Sequence, residues 1–284
     1  MLVVTNTGRT FDLFGYEKGI KLLKQGGFLN LDLSLFHHMK NNYELFAGDD
    51  WEEKCEEILK FAKAEGVAFR QAHAPYGSNG KTEEETARIY KTIVRAIKVA
   101  GKMGCKCIVV HPKQYPDNEN HWEENKAFYE SLIPYAKEAG VKVAVENMWG
   151  YDSKRGHITR STFSYAEELK AFVSEINSEL IVTCLDLGHS ALVGREPEDE
   201  IRILGDSLFA LHVHDTDYKD DLHAIPFQGR QNWKEICQAL KEVGYKGDFT
   251  FEVGPVFALS PEELYIDTLK YMYRVGEYLA SKCE

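Results

Sequence analysis

The chain has 284 residues, 44% of them hydrophobic and 28% charged, which is typical of a globular protein and argues against wholesale disorder. Its length suits one (β/α)8 barrel or two smaller domains. The formal net charge of −11 lowers the expectation of a nucleic-acid or anionic-membrane binder, because phosphate groups repel an acidic chain at long range.

Eight short β-rich runs alternate with longer segments of helical spacing. The predicted strands are LVVTNT (2–7), FLNLDLSL (28–35), AFRQAHA (68–74), CIVVH (107–111), VKVAVEN (141–147), LIVTCLD (180–186), LFALHVH (208–214) and DFTFEV (248–253). The predicted helices cover 16–25, 49–66, 81–104, 122–140, 165–177, 197–204, 232–244 and 260–282. Eight strand–helix units predict the α/β class and a (β/α)8 TIM barrel, formed by one domain over residues 1–284.

Local signals mark several element ends. Thr82 with Glu85 three residues later forms a capping-box pattern, and Gly66 ends the helix over 49–66. The longest irregular stretch is 214–231, and loops of this length are often functional. The sequence has neither a Gly-rich dinucleotide fingerprint after the first strand nor a P-loop.

The cysteines and the N-terminus bear on the cellular compartment. None of the six cysteines forms a CxxC pair, so we expect reduced core thiols rather than a disulfide framework. The stretch MLVVTNTGRT lacks the basic and long apolar segments of a signal peptide, and no apolar run approaches the roughly 20 residues of a membrane helix. These observations predict a cytoplasmic protein without membrane contact.

Titratable side chains stand at the ends of six consecutive predicted strands, the third to the eighth. In a barrel these ends meet at one mouth. The residues are His73, His111, Glu146, Asp186 with His189 beyond it, His212 and His214, and Glu252, to which the loop after the seventh strand adds Asp221 and His223. A single such residue is more often a hydrogen-bonded structural group or a helix N-cap. Six in succession are hard to attribute to capping.

Three of the strand-end residues are carboxylates, and together they predict a metal site. Glu146, Asp186 and Glu252 would bring three negative charges together, which costs desolvation and repulsion unless a cation offsets them. A divalent ion does so, with His212 as a nitrogen ligand. Gly188 is expected to let the chain turn so that His189 reaches the same cavity.

The motifs VAVEN, LDLGH, LHVHD with the following DLH, and FEV resemble those of the xylose-isomerase-like TIM-barrel superfamily. Its members include sugar phosphate isomerases and epimerases and the AP endonucleases of family 2. The resemblance spans essentially the whole chain. It implies one divalent ion (Mn, Zn, Mg or Co) held by Glu146, Asp186, His212 and Glu252. His212 is preferred to His214 because the family's ligand lies three residues before the acid of an HxxD pattern, here Asp215.

The resemblance also implies an activity. It implies a sugar, sugar-phosphate or inosose isomerase or epimerase that abstracts a proton next to a metal-chelated carbonyl and passes through an enediolate. Glu146 and Glu252 would be its catalytic carboxylates. Substrate contacts are implied for His73, His111, His189, Asp221 and His223. The partners expected are a small sugar or polyol and, as in many relatives, further copies of the chain in a homodimer or tetramer; nucleic acid is not expected.

Other side chains near the predicted strand ends are weaker candidates. Arg230, like Lys113 and Arg155, follows a strand end and could bind a hydroxyl or a phosphate; a solvated loop charge is the alternative. Trp149 and Tyr76 could cover the apolar face of a sugar, with core packing as the alternative.

Two alternative functions stay open. The nucleases hold three zinc ions with nine residues, and each has a counterpart of the right type here: His73, His111, Glu146, Asp186, His189, His212, Asp221, His223 and Glu252. The flanking sequence departs from theirs, with HPKQY in place of HPGSH and ENMWGYDSKRGH in place of a small, Thr-containing loop. The second alternative is a barrel that binds a metal and a polyol without turnover.

Overall fold

Strands and helices alternate along the chain in the computed structural model, which describes residues 1–36, 42–114, 121–254, 256–257 and 261–284. The strands are β1 (Val3–Asn6), β2 (Asn30–Ser34), β3 (Ala68–His73), β4 (Cys107–Val110), β5 (Lys142–Glu146), β6 (Trp149–Asp152), β7 (His157–Arg160), β8 (Ile181–Asp186), β9 (Leu208–His212) and β10 (Phe249–Phe251). The α-helices are α1 (Gly8–Gln25), α2 (Trp51–Glu65), α3 (Glu83–Lys102), α4 (His121–Ala139), α5 (Ala166–Ile176), α6 (Leu187–Leu192), α7 (Pro197–Leu204), α8 (Trp233–Glu242) and α9 (Glu262–Cys283).

Eight of the strands form one parallel sheet in the order β10-β1-β2-β3-β4-β5-β8-β9, which curls into a nearly closed barrel. β9 and β10 stand at the two ends of this order, and Val213 joins them by bridging to Phe251. The amide of Val213 donates to the Thr250 carbonyl at 2.8 Å, and the amide of Glu252 donates to the Val213 carbonyl at 3.1 Å. The predicted (β/α)8 barrel is confirmed.

Two layers of apolar side chains hold the barrel. The larger layer lies between the strands and the surrounding helices, and it includes Ile108 and Val110 of β4. The smaller one fills the barrel axis with Cys107, Val109, Ala144, Cys184 and Ala210. Successive strand residues face opposite sides, so the residue two positions beyond each of these points to the same axis. Two positions beyond Ala144, Cys184 and Ala210 stand Glu146, Asp186 and His212. The side chains of these three residues therefore lie directly above the smaller apolar layer.

The predicted element ends are mostly borne out. The Thr82 hydroxyl accepts the Glu85 amide at 3.1 Å, but the Glu85 carboxylate accepts the Lys81 amide rather than that of Thr82, so the predicted capping box is half formed. Helix α2 ends before Gly66, whose φ is 73°. Helix α1 begins well before the predicted residue 16 and kinks at Gly15, where φ is 69°.

A hairpin and a short helix were not predicted. The segment after β5 forms an antiparallel hairpin of β6 and β7, and residues 187–192 form the short helix α6. All six cysteines are buried and free, as predicted. In the described part of the chain, no helix is both long and apolar enough to cross a membrane.

Candidate active site

The side chains at the carboxyl ends of β5, β8, β9 and β10 converge on one imidazole nitrogen. Nδ1 of His212 lies 2.8 Å from Oε1 of Glu146, 3.0 Å from Oε2 of Glu252 and 3.8 Å from Oδ2 of Asp186. All four side chains are buried. The four predicted ligands therefore meet at one point inside the barrel mouth.

Burial and the neighbouring charges have opposite effects on the pKa values in this cluster. Burial would raise the pKa of the Glu146 carboxyl, but the imidazoles of His212 and His111 hold that pKa well below its usual range. Burial opposes protonation of His212, yet the neighbouring Cys184 thiol and the carboxylates of Glu252 and Glu146 hold the pKa of its imidazole well above its usual range. The three carboxylates around His212 thus create a position in the fold that favours a positive charge.

The donor set fits a divalent cation. The ligand atoms of Glu146, Asp186, His212 and Glu252 lie within 4.8 Å of one another, which suits atoms that share an ion about 2.0–2.2 Å from each. Carboxylate oxygens and a single imidazole are the mixture that Mn, Zn, Mg and Co accept. Oε2 of Glu146 is buried, and although it lies 2.9 Å from Nε2 of His111, no donor within the described residues is aligned on it. An oxygen in this position suits a cation better than a hydrogen bond.

A second group of ligand atoms shares Glu146 with the first. Nε2 of His73 and Nε2 of His111 lie 3.1 Å apart, and both face Oε2 of Glu146, at 3.6 and 2.9 Å. These three atoms also lie within 4.8 Å of one another. The structure thus places His73, at the end of β3, and His111, just after β4, in one cluster with Glu146 of β5.

Three of the histidines have their ring orientation fixed by backbone carbonyl groups. Nδ1 of His73 donates to the Ala74 carbonyl at 2.7 Å, Nδ1 of His189 to the Asn147 carbonyl at 2.8 Å, and Nδ1 of His223 to the Glu252 carbonyl at 2.7 Å. A carbonyl only accepts, so Nδ1 carries the hydrogen in each ring. In the neutral rings of His73 and His189 the lone pair is then on Nε2, an arrangement common among metal-binding histidines, whereas Nε2 of His223 donates to the Asp221 carboxylate.

Asp221 brings the loop after β9 to the cavity. Its Oδ2 lies 3.2 Å from Nε2 of His223 and 3.9 Å from Nε2 of His189. Burial would raise the pKa of Asp221, but the hydrogen bond from His223 and the charges of nearby histidines lower it to about 2. The structure therefore brings together the predicted residues His189, Asp221 and His223.

Gly188 does not act as the predicted turn residue. It lies in the first turn of α6, where Asp186 is the N-cap and its Oδ1 accepts the His189 amide at 2.7 Å. A Cβ atom at position 188 would come within 2.0 Å of Cε1 of His214. Glycine is needed here because the His214 ring occupies that space. Asp186 is thus both a helix cap, the alternative weighed for it, and a member of the carboxylate cluster.

Asp215 anchors the loop that carries Asp221 and His223. The loop begins with an antiparallel bridge between Asp215 and Ala224. The buried Asp215 carboxylate accepts four N–H groups. They are the amides of Thr216 (2.9 Å), Phe227 (2.8 Å) and Gln231 (3.2 Å) and the indole N–H of Trp233 (2.8 Å). Hydrogen bonds to the single carboxylate of Asp215 thus hold the stretch 214–231, which the sequence predicted to be irregular.

The variant Asp215→Asn is expected to destabilise the fold by about 3 kcal/mol or more, because the amide group would face donors and leave buried N–H groups unpaired. Urea unfolding measures this change. The control Asp220→Asn, exposed in the same loop, should change stability by less than about 0.5 kcal/mol. Equal stability of the two variants would contradict the anchoring role of Asp215.

The cluster opens into a cavity of about 520 Å³, within the usual size range of small-molecule sites. Trp149 and Tyr151 of the β6–β7 hairpin line it, as does Tyr76, whose ring stacks on Phe36 at 4.4 Å. Polar side chains at the rim include Asn79 and Gln114. Sequence reasoning missed Tyr151, Asn79 and Gln114, because no pattern indicated the hairpin or the rim contacts.

The predicted cationic side chains are not among the residues that line this cavity. Arg230 is exposed. Arg155 lies at the tip of the hairpin and pairs with Asp152 at 2.6 Å. Nζ of Lys113 lies 5.6 Å from the ring centre of Phe128. For these residues the alternative of a loop charge agrees better with their placement.

Eight parallel strands with titratable side chains converging at their carboxyl ends define a (β/α)8 barrel with a candidate metal centre in its mouth. The family model described as xylose isomerase-like TIM barrel matches residues 32–275, so the chain belongs to that family.

Three related proteins illustrate the similarity. An uncharacterised protein of Methanocaldococcus jannaschii is 26% identical over 190 residues, which cover 63% of this chain and 62% of that protein, less than two thirds of its length. A D-psicose 3-epimerase of Enterocloster bolteae is 23% identical over 208 residues, covering 70% of this chain and 66% of the epimerase. The crystal structure of an IOLI protein with a bound zinc atom has a TM-score of 0.76 at 19% identity and covers 98% of this chain and 99% of its own; this likeness concerns the fold.

Proposed function

We propose that the chain is a divalent-metal-dependent isomerase or epimerase of a small ketose or related polyol ketone, acting as one domain. The observation that carries the proposal is the convergence of Glu146, Asp186 and Glu252 on Nδ1 of His212, next to a cavity of sugar size that Glu146 and Glu252 line. The sequence match to a D-psicose 3-epimerase supports the same class of activity. The proposal includes assembly of the chain into a homodimer or tetramer, which the family resemblance implies.

The four clustered side chains would hold the ion. Its chemistry there would be that of a Lewis acid, which polarises a carbonyl group and so acidifies the adjacent C–H bond. Glu146 and Glu252 come from strands on different sides of the mouth, and both border the cavity. One group would remove the proton as a carboxylate, and the other, in its carboxylic acid form, would deliver a proton to the opposite face, which inverts the carbon. Return of the proton to the neighbouring carbon gives isomerisation instead.

The surrounding side chains would orient the sugar. His111, His189 and His223 line the cavity and can hydrogen-bond hydroxyl groups. The faces of Trp149 and Tyr76 can pack on the apolar C–H face of a sugar and exclude water from the reacting carbons. Aromatic faces combined with hydrogen-bonding side chains are typical of sites for polyols.

A second candidate function is a multinuclear zinc phosphodiesterase of the AP-endonuclease type. Two observations favour it. His73, His111 and Glu146 form a second ligand cluster, and the rings of His73 and His189 are held with Nε2 available for a metal. The acidic net charge disfavours it, because the phosphates of DNA are repelled by a chain with a formal charge of −11.

Counting the metal ions separates these functions. Protein purified without a histidine tag or chelator is expected to hold about one divalent ion per chain by elemental analysis, and to wash solvent deuterium into a ketose such as D-psicose, D-tagatose or D-fructose. Two or three zinc ions with cleavage of an abasic-site duplex would favour the nuclease. One ion without deuterium uptake across a ketose panel would indicate a barrel that binds without turnover. A chain with no affinity for Mn or Zn contradicts both enzymatic functions.

A further inference from the structure

His214 lies beside the candidate metal cluster, although it is not one of the four ligands proposed for it. It follows His212 by two residues and is completely buried. Its Nε2 lies 3.0 Å from Oδ1 and 3.1 Å from Oδ2 of Asp186. An ionised carboxylate only accepts hydrogen bonds, so Nε2 of His214 carries the hydrogen and donates it to Asp186.

The orientation of the Asp186 carboxylate is fixed by the donors around it. Oδ1 accepts the amide of His189 at 2.7 Å and Nε2–H of His214 at 3.0 Å. Oδ2 is the oxygen that faces the cluster, 3.8 Å from Nδ1 of His212. Because the His189 amide holds Oδ1 and the Nε2–H group of His214 is shared between Oδ1 and Oδ2, the carboxylate cannot rotate freely, and Oδ2 stays directed at the position of the ion.

Packing in turn fixes the His214 ring. The Cα of Gly188 lies so close that a Cβ atom there would come within 2.0 Å of Cε1 of His214. The ring stacks on that of His223, with the centroids 4.1 Å apart and the planes 19° from parallel. His223 is itself held by its hydrogen bond to the Glu252 carbonyl. His214 therefore connects the loop after β9 to a carboxylate of the metal cluster.

We propose that His214 is a positioning residue that sets the affinity of the site for its divalent ion, by holding the Asp186 carboxylate in the ligating orientation. The inference rests on the proposed metal site and deepens it. Outer donors of this kind usually change metal affinity by about 10- to 100-fold when they are removed. A role in packing alone would lower stability without changing the binding of the ion.

Two substitutions at position 214 separate the hydrogen bond from the packing. His214→Leu keeps much of the volume and removes the donor, whereas His214→Gln keeps an N–H group that can reach Asp186. We expect the dissociation constant for Mn or Co, measured by competition with a chromogenic chelator, to rise by about 10- to 100-fold in His214→Leu. In His214→Gln it should stay within about threefold of wild type. The control His157→Gln, exposed in the β6–β7 hairpin, should bind like wild type.

A second readout reports the ligand geometry. The visible absorption spectrum of the Co-loaded protein should shift in His214→Leu and be restored in His214→Gln. Wild-type affinity in a folded His214→Leu, or equally weak binding by both variants, overturns the inference. If His214→Leu does not fold, Gly188→Ala replaces it, since the added Cβ displaces the ring, and wild-type ion binding there overturns the inference too. Ion binding is measured without substrate, so failure to find a ketose substrate refutes the enzymatic proposal alone.

Discussion

Glu146→Gln is expected to lower kcat by at least about 10³-fold, because the change removes a general base and weakens a metal ligand at once. Glu146 contacts both ligand clusters: Oε1 lies 2.8 Å from Nδ1 of His212, and Oε2 lies 2.9 Å from Nε2 of His111. The amide is nearly the same shape as the carboxylate, so the fold should be retained. Solvent-deuterium uptake by the ketose measures the loss, and circular dichroism checks the fold.

The matched control is Glu200→Gln. Glu200 is also fully buried, but it pairs with Arg195 at 2.6 Å and accepts the Ala166 amide away from the cavity. This control should lower the free energy of unfolding, since it breaks a partly buried ion pair, and leave kcat within about twofold. If Glu146→Gln keeps wild-type turnover, the assignment of Glu146 as base and ligand is wrong.

Removal of the ion by chelation is the second change with a large expected effect. At a free ion concentration about 1,000 times the dissociation constant, a bound ion stabilises the folded state by roughly 4 kcal/mol. For a chain of this size that corresponds to a fall in Tm on the order of 10 °C after removal. Turnover should disappear at the same time and return when Mn, Zn, Mg or Co is added back.

Scanning calorimetry with parallel activity measurements tests this prediction. The variant Asp186→Asn lacks one proposed ligand and serves as the comparison, because its Tm should respond less to the chelator. A wild-type protein whose Tm and turnover are both unchanged by thorough chelation would contradict a metal site at Glu146, Asp186, His212 and Glu252.

The barrel strands could be predicted from the sequence because each is a short apolar run with turn residues around it. The hairpin β6–β7 could not, because its residues are mostly half-buried or exposed and carry no alternating apolar pattern. Helix α6 has only six residues, too few for a helical period to be visible. The early start of α1 was hidden by the kink at Gly15, which interrupts the helical spacing.

The location of the site could be predicted because barrel topology brings the strand ends together whatever their sequence. The finer contacts depend on side-chain direction, which spacing does not encode. Arg230 follows a strand end as Glu252 does, yet it is exposed. His214 shares the inward direction of His212, and the spacing of the two residues in LHVHD was a signal for that, but its hydrogen bond to Asp186 could be seen only in the structure.

The bridge at Val213 joins β9 to β10, and the proposed metal site lies next to this bridge. His212 precedes this bridge on one side of the junction, and Glu252 follows Phe251 on the other. An ion bound by both His212 and Glu252 would link β9 to β10, the two strands whose pairing closes the barrel. Closure of the barrel and occupancy by the ion would then be linked equilibria, each favouring the other by the same factor. A substitution that spreads β9 from β10 would weaken ion binding without touching a ligand.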